Sequence, residues 1–204
     1  MLQLGKLQIA SIGIASILAA YAAAASFASQ GVVGQGVPEM QYADAANVDY
    51  FLKIEGVDGE STSAKHKGEI EILSFSWGVS QQGSSGTGGG GGAGKATFQD
   101  ISFVKNLDKS SPLLFVKTAT GEHIKEVVLT GEIAGKRGEK FLEIKMSEVL
   151  ISSYQQSGSE GGVPTDTFSL NFAKIEFKYY PVDKSGSLGG PVTGGWDLKE
   201  NKEA

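Results

Sequence analysis

The chain has 204 residues, 40% hydrophobic and 20% charged, which is the composition of one ordinary globular domain with additional sequence attached. It contains no cysteine, so a disulfide framework, a thiolate zinc site and a cysteine nucleophile are excluded. The formal charge of -5, with Lys and Arg scattered along the chain, argues against a nucleic-acid binder, which needs a basic face.

Residues 7–38 carry no charge, and Lys6 stands just ahead of an apolar stretch at 9–20. Small residues then accumulate over 22–29, and Ser26 and Ala28 offer the small side chains a signal peptidase needs, so 1–28 reads as a signal-peptide-like leader with cleavage after Ala28. Two other readings stay open. About 20 weakly apolar residues can just span a bilayer, but Ser11, Ser16 and the many alanines make a poor anchor, and no stable membrane insertion is expected. Alternatively, translation starts at Met40 and the leader is not made. Residues 29–46 read as a flexible linker, because Gly31, Gly34, Gly36 and Pro38 oppose any regular element.

A folded domain is expected over 47–204. Period-two alternation marks strands at 50–55, 70–77 and 98–104 in its first half. Trp77 falls on the phase of Leu73, Phe75 and Val79, which assigns it to the core.

Between the second and third of these strands lies a segment that cannot order itself. From Ser80 to Lys95 it offers almost no apolar surface, and each glycine loses more backbone freedom on ordering than any other residue. Residues 89–95 match the G-x-x-x-x-G-K spacing of a phosphate loop, but Ala96 replaces the magnesium-binding hydroxyl and Thr97 comes one residue late. A strand pattern follows, where phosphates need the N-terminus of a helix. The segment is therefore assigned to contact with a partner surface, through Gln82, Ser84, Gly88, Gly89, Gly90, Gly91, Gly92, Gly94 and Lys95.

One short helix is expected next, with Ser111 as N-cap, Pro112 at the first helical position, an apolar run at 113–116 and Gly121 just beyond the end. Its apolar stripe should pack on the sheet wall or plug one end of it. Strands resume at 126–133, 140–146, 149–155 and 168–179, and Trp196 follows a glycine-rich turn where it can fasten the chain end. About eight strands of this kind suit a mainly β domain: an antiparallel β-barrel, or a sandwich, with one flanking α-helix.

Catalytic chemistry is hard to find. His66 and His123 each fall in loop or turn sequence and read as solvated residues. Asp58, Glu60, Glu69 and Glu71 read as a solvated acidic surface. Neither Ser-His-Asp spacing, nor H-E-x-x-H, nor an EF-hand loop occurs. No catalytic residue, cofactor or metal is expected.

Several separated motifs carry a family resemblance in the right order. The stretches 48–61, 69–81, the glycine segment running into 98–105, 167–173 and the ending 190–198 resemble the Hcp (haemolysin-coregulated protein) family of type VI secretion tube subunits. The resemblance implies a β-barrel protomer that forms homo-hexameric rings, which stack into an inner tube inside a contractile sheath. It further implies secretion together with a spike protein, and small effector proteins held in the ring lumen. It brings no cofactor and no catalytic residue. The leader departs from this pattern, because such tubes are assembled from the cytoplasm. A used leader would place the chain in the periplasm or outside the cell, as an exported ring-forming adhesin or binding module.

Overall fold

A computed structural model of the chain describes residues 48–81, 96–133, 138–182 and 187–204. The leader, the linker and the 82–95 segment lie outside the described residues.

Twelve strands and one helix form among the described residues, and every strand pair is antiparallel. The first sheet runs in the order β12 (Lys202–Glu203), β11 (Val192–Asp197), β10 (Lys174–Tyr179), β8 (Glu139–Ser157), β7 (Ile124–Ile133), β1 (Val48–Ile54) and β2 (Ile70–Ile72). The second runs β3 (Ser74–Ser76), β6 (Ile101–Asn106), β9 (Thr165–Asn171) and again β8. A separate ribbon pairs β4 (Val79–Gln81) with β5 (Ala96–Phe98).

The chain crosses between the sheets through the helix and at Phe172 and Ala173, and two further places carry strand structure directly from one sheet to the other. Strand β8 has 19 residues; its first half pairs with β7 and β10 and its second half with β9. Between the halves Glu148 adopts φ 52°, a left-handed conformation that turns the strand. The other place is Leu73, the single residue between β2 and β3, whose N–H donates to the Val104 carbonyl at 2.8 Å. Core side chains from both sheets meet in one cluster, with Leu52, Leu129, Ile144 and Met146 facing Ile101, Phe103, Phe168 and Leu170. Phe103 and Phe168 stack at 5.3 Å.

The mainly β class with one helix is as expected, but the strand inventory differs from the eight expected. The run at 70–77 breaks at Leu73, the next breaks after Phe98, and the run at 168–179 breaks at Phe172 and Ala173. The two strands expected at 140–146 and 149–155 are one, and β11 and β12 lie in glycine-rich or charged sequence that gives little strand signal. The break at Leu73 also shifts the alternation by one residue. Ile70 and Ile72 are buried, Leu73 and Val79 are each 55% exposed, and Trp77 is half-buried against the core rim, beside Phe177 at 6.4 Å. Trp77 is thus not a fully buried core residue as its phase suggests.

The helix, α1 (Ser111–Thr120), begins one residue earlier than expected: Ser110 is the N-cap, and its side chain makes no capping bond. Asp108 fixes the turn just ahead of the helix by accepting the N–H of Ser110 itself at 2.9 Å. Pro112 lies in the first turn, where its missing N–H costs nothing, and Gly121 closes the helix at φ 65°. Of the apolar run, Leu114 is buried while Leu113, Phe115 and Val116 stay exposed. The helix therefore anchors through one leucine and does not bury its whole apolar stripe.

Candidate functional site

The assembly residues assigned from sequence, Gln82, Ser84, Gly88, Gly89, Gly90, Gly91, Gly92, Gly94 and Lys95, all lie outside the described residues. Their two ends are described. Gln81 and Ala96 are direct cross-strand partners, so the segment leaves and returns at one register position on top of the β4–β5 ribbon. At the ribbon's base the Gly78 carbonyl accepts the Gln99 N–H at 2.9 Å, and Phe98 meets Phe172 edge-on at 6.2 Å. The ribbon is thereby held to the body of the domain while Val79 stays exposed.

Sequence reasoning missed a buried polar network at the end of the core where α1 begins. Lys105 and Asp166 are cross-strand partners on β6 and β9, both without exposed surface, and their charges meet at 2.9 Å. The ammonium also reaches Asp108 at 2.7 Å, the Ser111 hydroxyl at 2.9 Å and the Asn106 carbonyl at 2.8 Å. Asp166 accepts bonds from the Ser111 hydroxyl, from Tyr154 at 2.9 Å and from Gln156 at 3.1 Å. Burial pushes the Asp166 carboxyl up, but the donors from Ser111, Lys105, Gln156 and Tyr154 outweigh it and hold the group below the usual carboxylate range. Tyr154 is pushed up to about 12, by burial first and then by its bond to Asp166. The network ties β6, β8, β9 and the first turn of α1 together. Its lysine is sealed from any external substrate, so its chemistry is structural. The signal was in the alternation: Lys105 shares the phase of Ile101 and Phe103, and Asp166 that of Phe168 and Leu170.

His66 is the second correction, since it is buried and not solvated. Its ring stacks on Phe51 at 4.3 Å and 5°. Nδ1 lies 2.7 Å from the Glu69 carboxylate, and Nε2 lies 3.2 Å from Glu132 but off the line of a hydrogen bond. The imidazole thus clamps the 57–69 loop onto β1 and β7. Asp58, Glu60 and Glu71 are exposed as expected, but Glu60 accepts the Lys109 N–H at 3.1 Å and Glu69 serves His66. His123 is exposed. No cluster of three metal-ligating side chains occurs among the described residues.

The face of the first sheet that points away from the core is a lattice of paired charges. Lys145 meets Glu126 at 2.6 Å, Lys178 meets Glu143 at 2.9 Å, and Lys174 meets Glu176 at 3.1 Å. Burial pushes Glu143 up, but Lys140 and Lys178 outweigh this and hold it below the usual range, while Glu143 raises both lysines. The opposite face of β10 and β11 is apolar, and it is exposed at Phe177, Tyr179 and Val192. The described surface thus offers one charge-neutralised sheet face, one partly open apolar face and the exposed side of α1. Among the described residues no helix is long and apolar enough to cross a membrane.

Comparison with known proteins agrees with this architecture. The sequence profile of the family described as "Type VI secretion system effector, Hcp" matches residues 51–179. Protein hcp1 of Pseudomonas aeruginosa strain PAO1 is 44% identical over 160 residues, which cover 77% of this chain and 99% of that protein. A solved structure of a type six secretion system protein superposes with a TM-score of 0.73 at 32% identity, over 78% of this chain and 100% of that one. Hcp1 from Salmonella typhimurium superposes with a TM-score of 0.64 at 31% identity, over 77% of this chain and 99% of that one.

Proposed function

Because this chain belongs to the Hcp family of type VI secretion proteins, we propose that it is a tube subunit whose copies close into hexameric rings. The family is secreted and forms ring assemblies in that system. The rings stack into the inner tube within a contractile sheath, leave the cell with the spike, and carry small effector proteins in the lumen. The observation that carries this reading is the likeness to hcp1, which runs over 99% of that protein at 44% identity.

Two structural features support it. The two sheets are read as a closed barrel wall because their pairing runs in a circuit, from β1 to β2, through Leu73 to β3, then to β6, β9, β8, β7 and back to β1. The 82–95 segment starts and ends on an exposed ribbon, a position from which it can reach a neighbouring subunit. In a closed ring one patch meets a different patch on the next copy, at a rotation that closes after a fixed number of subunits.

The test is the mass of the purified protein at micromolar concentration by light scattering. Six protomers per particle is the expected result, and a monodisperse monomer overturns the tube reading. The signal-peptide-like leader, with Lys6 ahead of a charge-free stretch, favours a second reading, the exported ring-forming adhesin or binding module. Mass spectrometry of the native N-terminus separates the two: a start at Met40 supports cytoplasmic assembly, and a start at Ser29 supports export.

A further inference from the structure

We propose that His66, Glu132 and the Gly138 carbonyl form a binding site for one divalent transition-metal ion of the zinc class, which ties the 57–69 loop to β7 and to the start of β8. The site lies within one protomer and does not depend on ring formation. Its imidazole is held in place before any ion arrives. The ring stacks on Phe51 at 4.3 Å and 5°, and the residue is only 9% exposed. Its backbone is fixed as well, because the His66 carbonyl accepts the Glu69 N–H at 3.0 Å and the Gly68 N–H donates to the Ser61 carbonyl at 2.9 Å. Nδ1 lies 2.7 Å from the Glu69 carboxylate. A carboxylate only accepts, so the proton belongs on Nδ1 and the lone pair on Nε2. A carboxylate on one ring nitrogen is how metal-binding histidines fix their tautomer and gain basicity at the other.

Nε2 has nothing to bond to. Among the described residues it is a buried polar atom with no hydrogen-bond partner, although Glu132 Oε1 is 3.2 Å away. Two electron-pair donors thus face each other with no proton on the line between them. That separation is the one a shared ion requires: ligand atoms each about 2.0 Å from a tetrahedral zinc are about 3.3 Å apart, and each lies to the side of the other's lone-pair axis.

A cation is already drawn to the same spot. The Lys65 ammonium donates to the Gly138 carbonyl and lies 3.7 Å from Glu132 Oε1. A Cβ at residue 138 would sit 3.0 Å from Glu132 Oε2 and 3.5 Å from that ammonium, so glycine keeps the space open. The Lys65 side chain is 55% exposed and can swing into water, which gives the ion an entry path, whereas the Glu132 side chain is 9% exposed and stays. One imidazole beside a carboxylate and a carbonyl suits zinc and its neighbours better than calcium or magnesium, which take oxygen ligands alone. Two side chains and one carbonyl leave water in the remaining positions, so the site is weaker than a closed structural zinc site.

The experiment titrates zinc chloride into the full chain, free of any histidine tag, by calorimetry, with circular dichroism as a check on folding. One ion per protomer and a zinc-dependent rise in melting midpoint are expected. Glu132→Gln and His66→Gln should weaken uptake by about tenfold or more, and Glu69→Gln by about tenfold to a hundredfold through the orientation of the imidazole. Lys65→Ala removes the competing ammonium and should tighten uptake. This exposed substitution keeps the test decisive even if His66→Gln destabilises the fold. His123→Ala should change nothing, since that imidazole is exposed elsewhere. The proposal is overturned if the parent takes up no zinc, if calcium binds as tightly, if uptake survives both Glu132→Gln and His66→Gln, or if Lys65→Ala weakens it.

Discussion

Replacing Lys105 with methionine tests the buried network most directly, because methionine keeps much of the volume and removes the charge. Breaking a buried ion pair by removing one partner costs about 3 to 5 kcal/mol, since the other charge is left uncompensated. Here Asp166 would keep Ser111, Tyr154 and Gln156 as donors, and Gln156 is itself exposed, so water lies one side chain away. The lower end, about 3 kcal/mol, is therefore expected. Asp166→Asn leaves Lys105 with Asp108 at 2.7 Å and should cost less, about 2 kcal/mol. The double substitution should cost less than the sum of the two by about 1 kcal/mol or more, because neither charge is then stranded. Urea unfolding followed by tryptophan fluorescence measures all four forms, at one fixed protomer concentration because assembly adds to apparent stability. A loss below about 0.5 kcal/mol for Lys105→Met, or strictly additive single losses, would refute the reasoning.

Trp77→Ala should cost about 1 to 2 kcal/mol, less than the 3 to 5 typical of a fully buried tryptophan, because the indole is half-buried; thermal melts check this. With its folded carboxyl held below the unfolded value near 3.9, Asp166 contributes stability that is present above about pH 4 and lost as pH falls through the folded value. Asp166→Asn should flatten that acid limb of a stability-versus-pH profile. Tyr154, raised to about 12, has the opposite sign: its contribution is present below about pH 10 and lost as pH rises through 12, so Tyr154→Phe should remove the alkaline limb. Gly59→Ala should cost more than Gly68→Ala in the same melts. A Cβ at 59 would sit 2.3 Å from the Glu69 carbonyl oxygen, whereas at 68 it meets nothing and only the φ of +76° is strained.

Class and most strand positions were legible because one face of each strand is buried and the other is not. Ile101, Phe103, Phe168 and Leu170 announce their strands by alternation alone. That rule fails where a strand changes sheets. At Leu73 the chain passes from β2 to β3 and the inward phase slips by one, so residues counted forward from Ile72 land on the wrong face. At Glu148 the reverse happens: a left-handed residue looks like an interruption, yet the strand continues. The helix N-cap was misplaced for a related reason. Two serines stand side by side, and the choice between Ser110 and Ser111 depends on Asp166, 55 residues away, drawing the Ser111 hydroxyl into the core.

Strand β11 was the least legible element, and its glycines are the cause. Strand β11 contains Gly194 and Gly195, which give no strand propensity and read as a turn before Trp196. Gly195 has a packing reason to be glycine, since a Cβ would come 3.1 Å from the Ile175 carbonyl and 3.3 Å from the Ala204 oxygen. Gly194 has none inside the protomer. Its missing side chain would project into open space on the face it shares with Phe177. Within one copy that absence loses contact area and gains nothing. Gly194→Val should therefore leave the protomer's melting midpoint unchanged or raised in thermal melts. A lowered midpoint would show that the space beside Gly194 is needed inside the protomer.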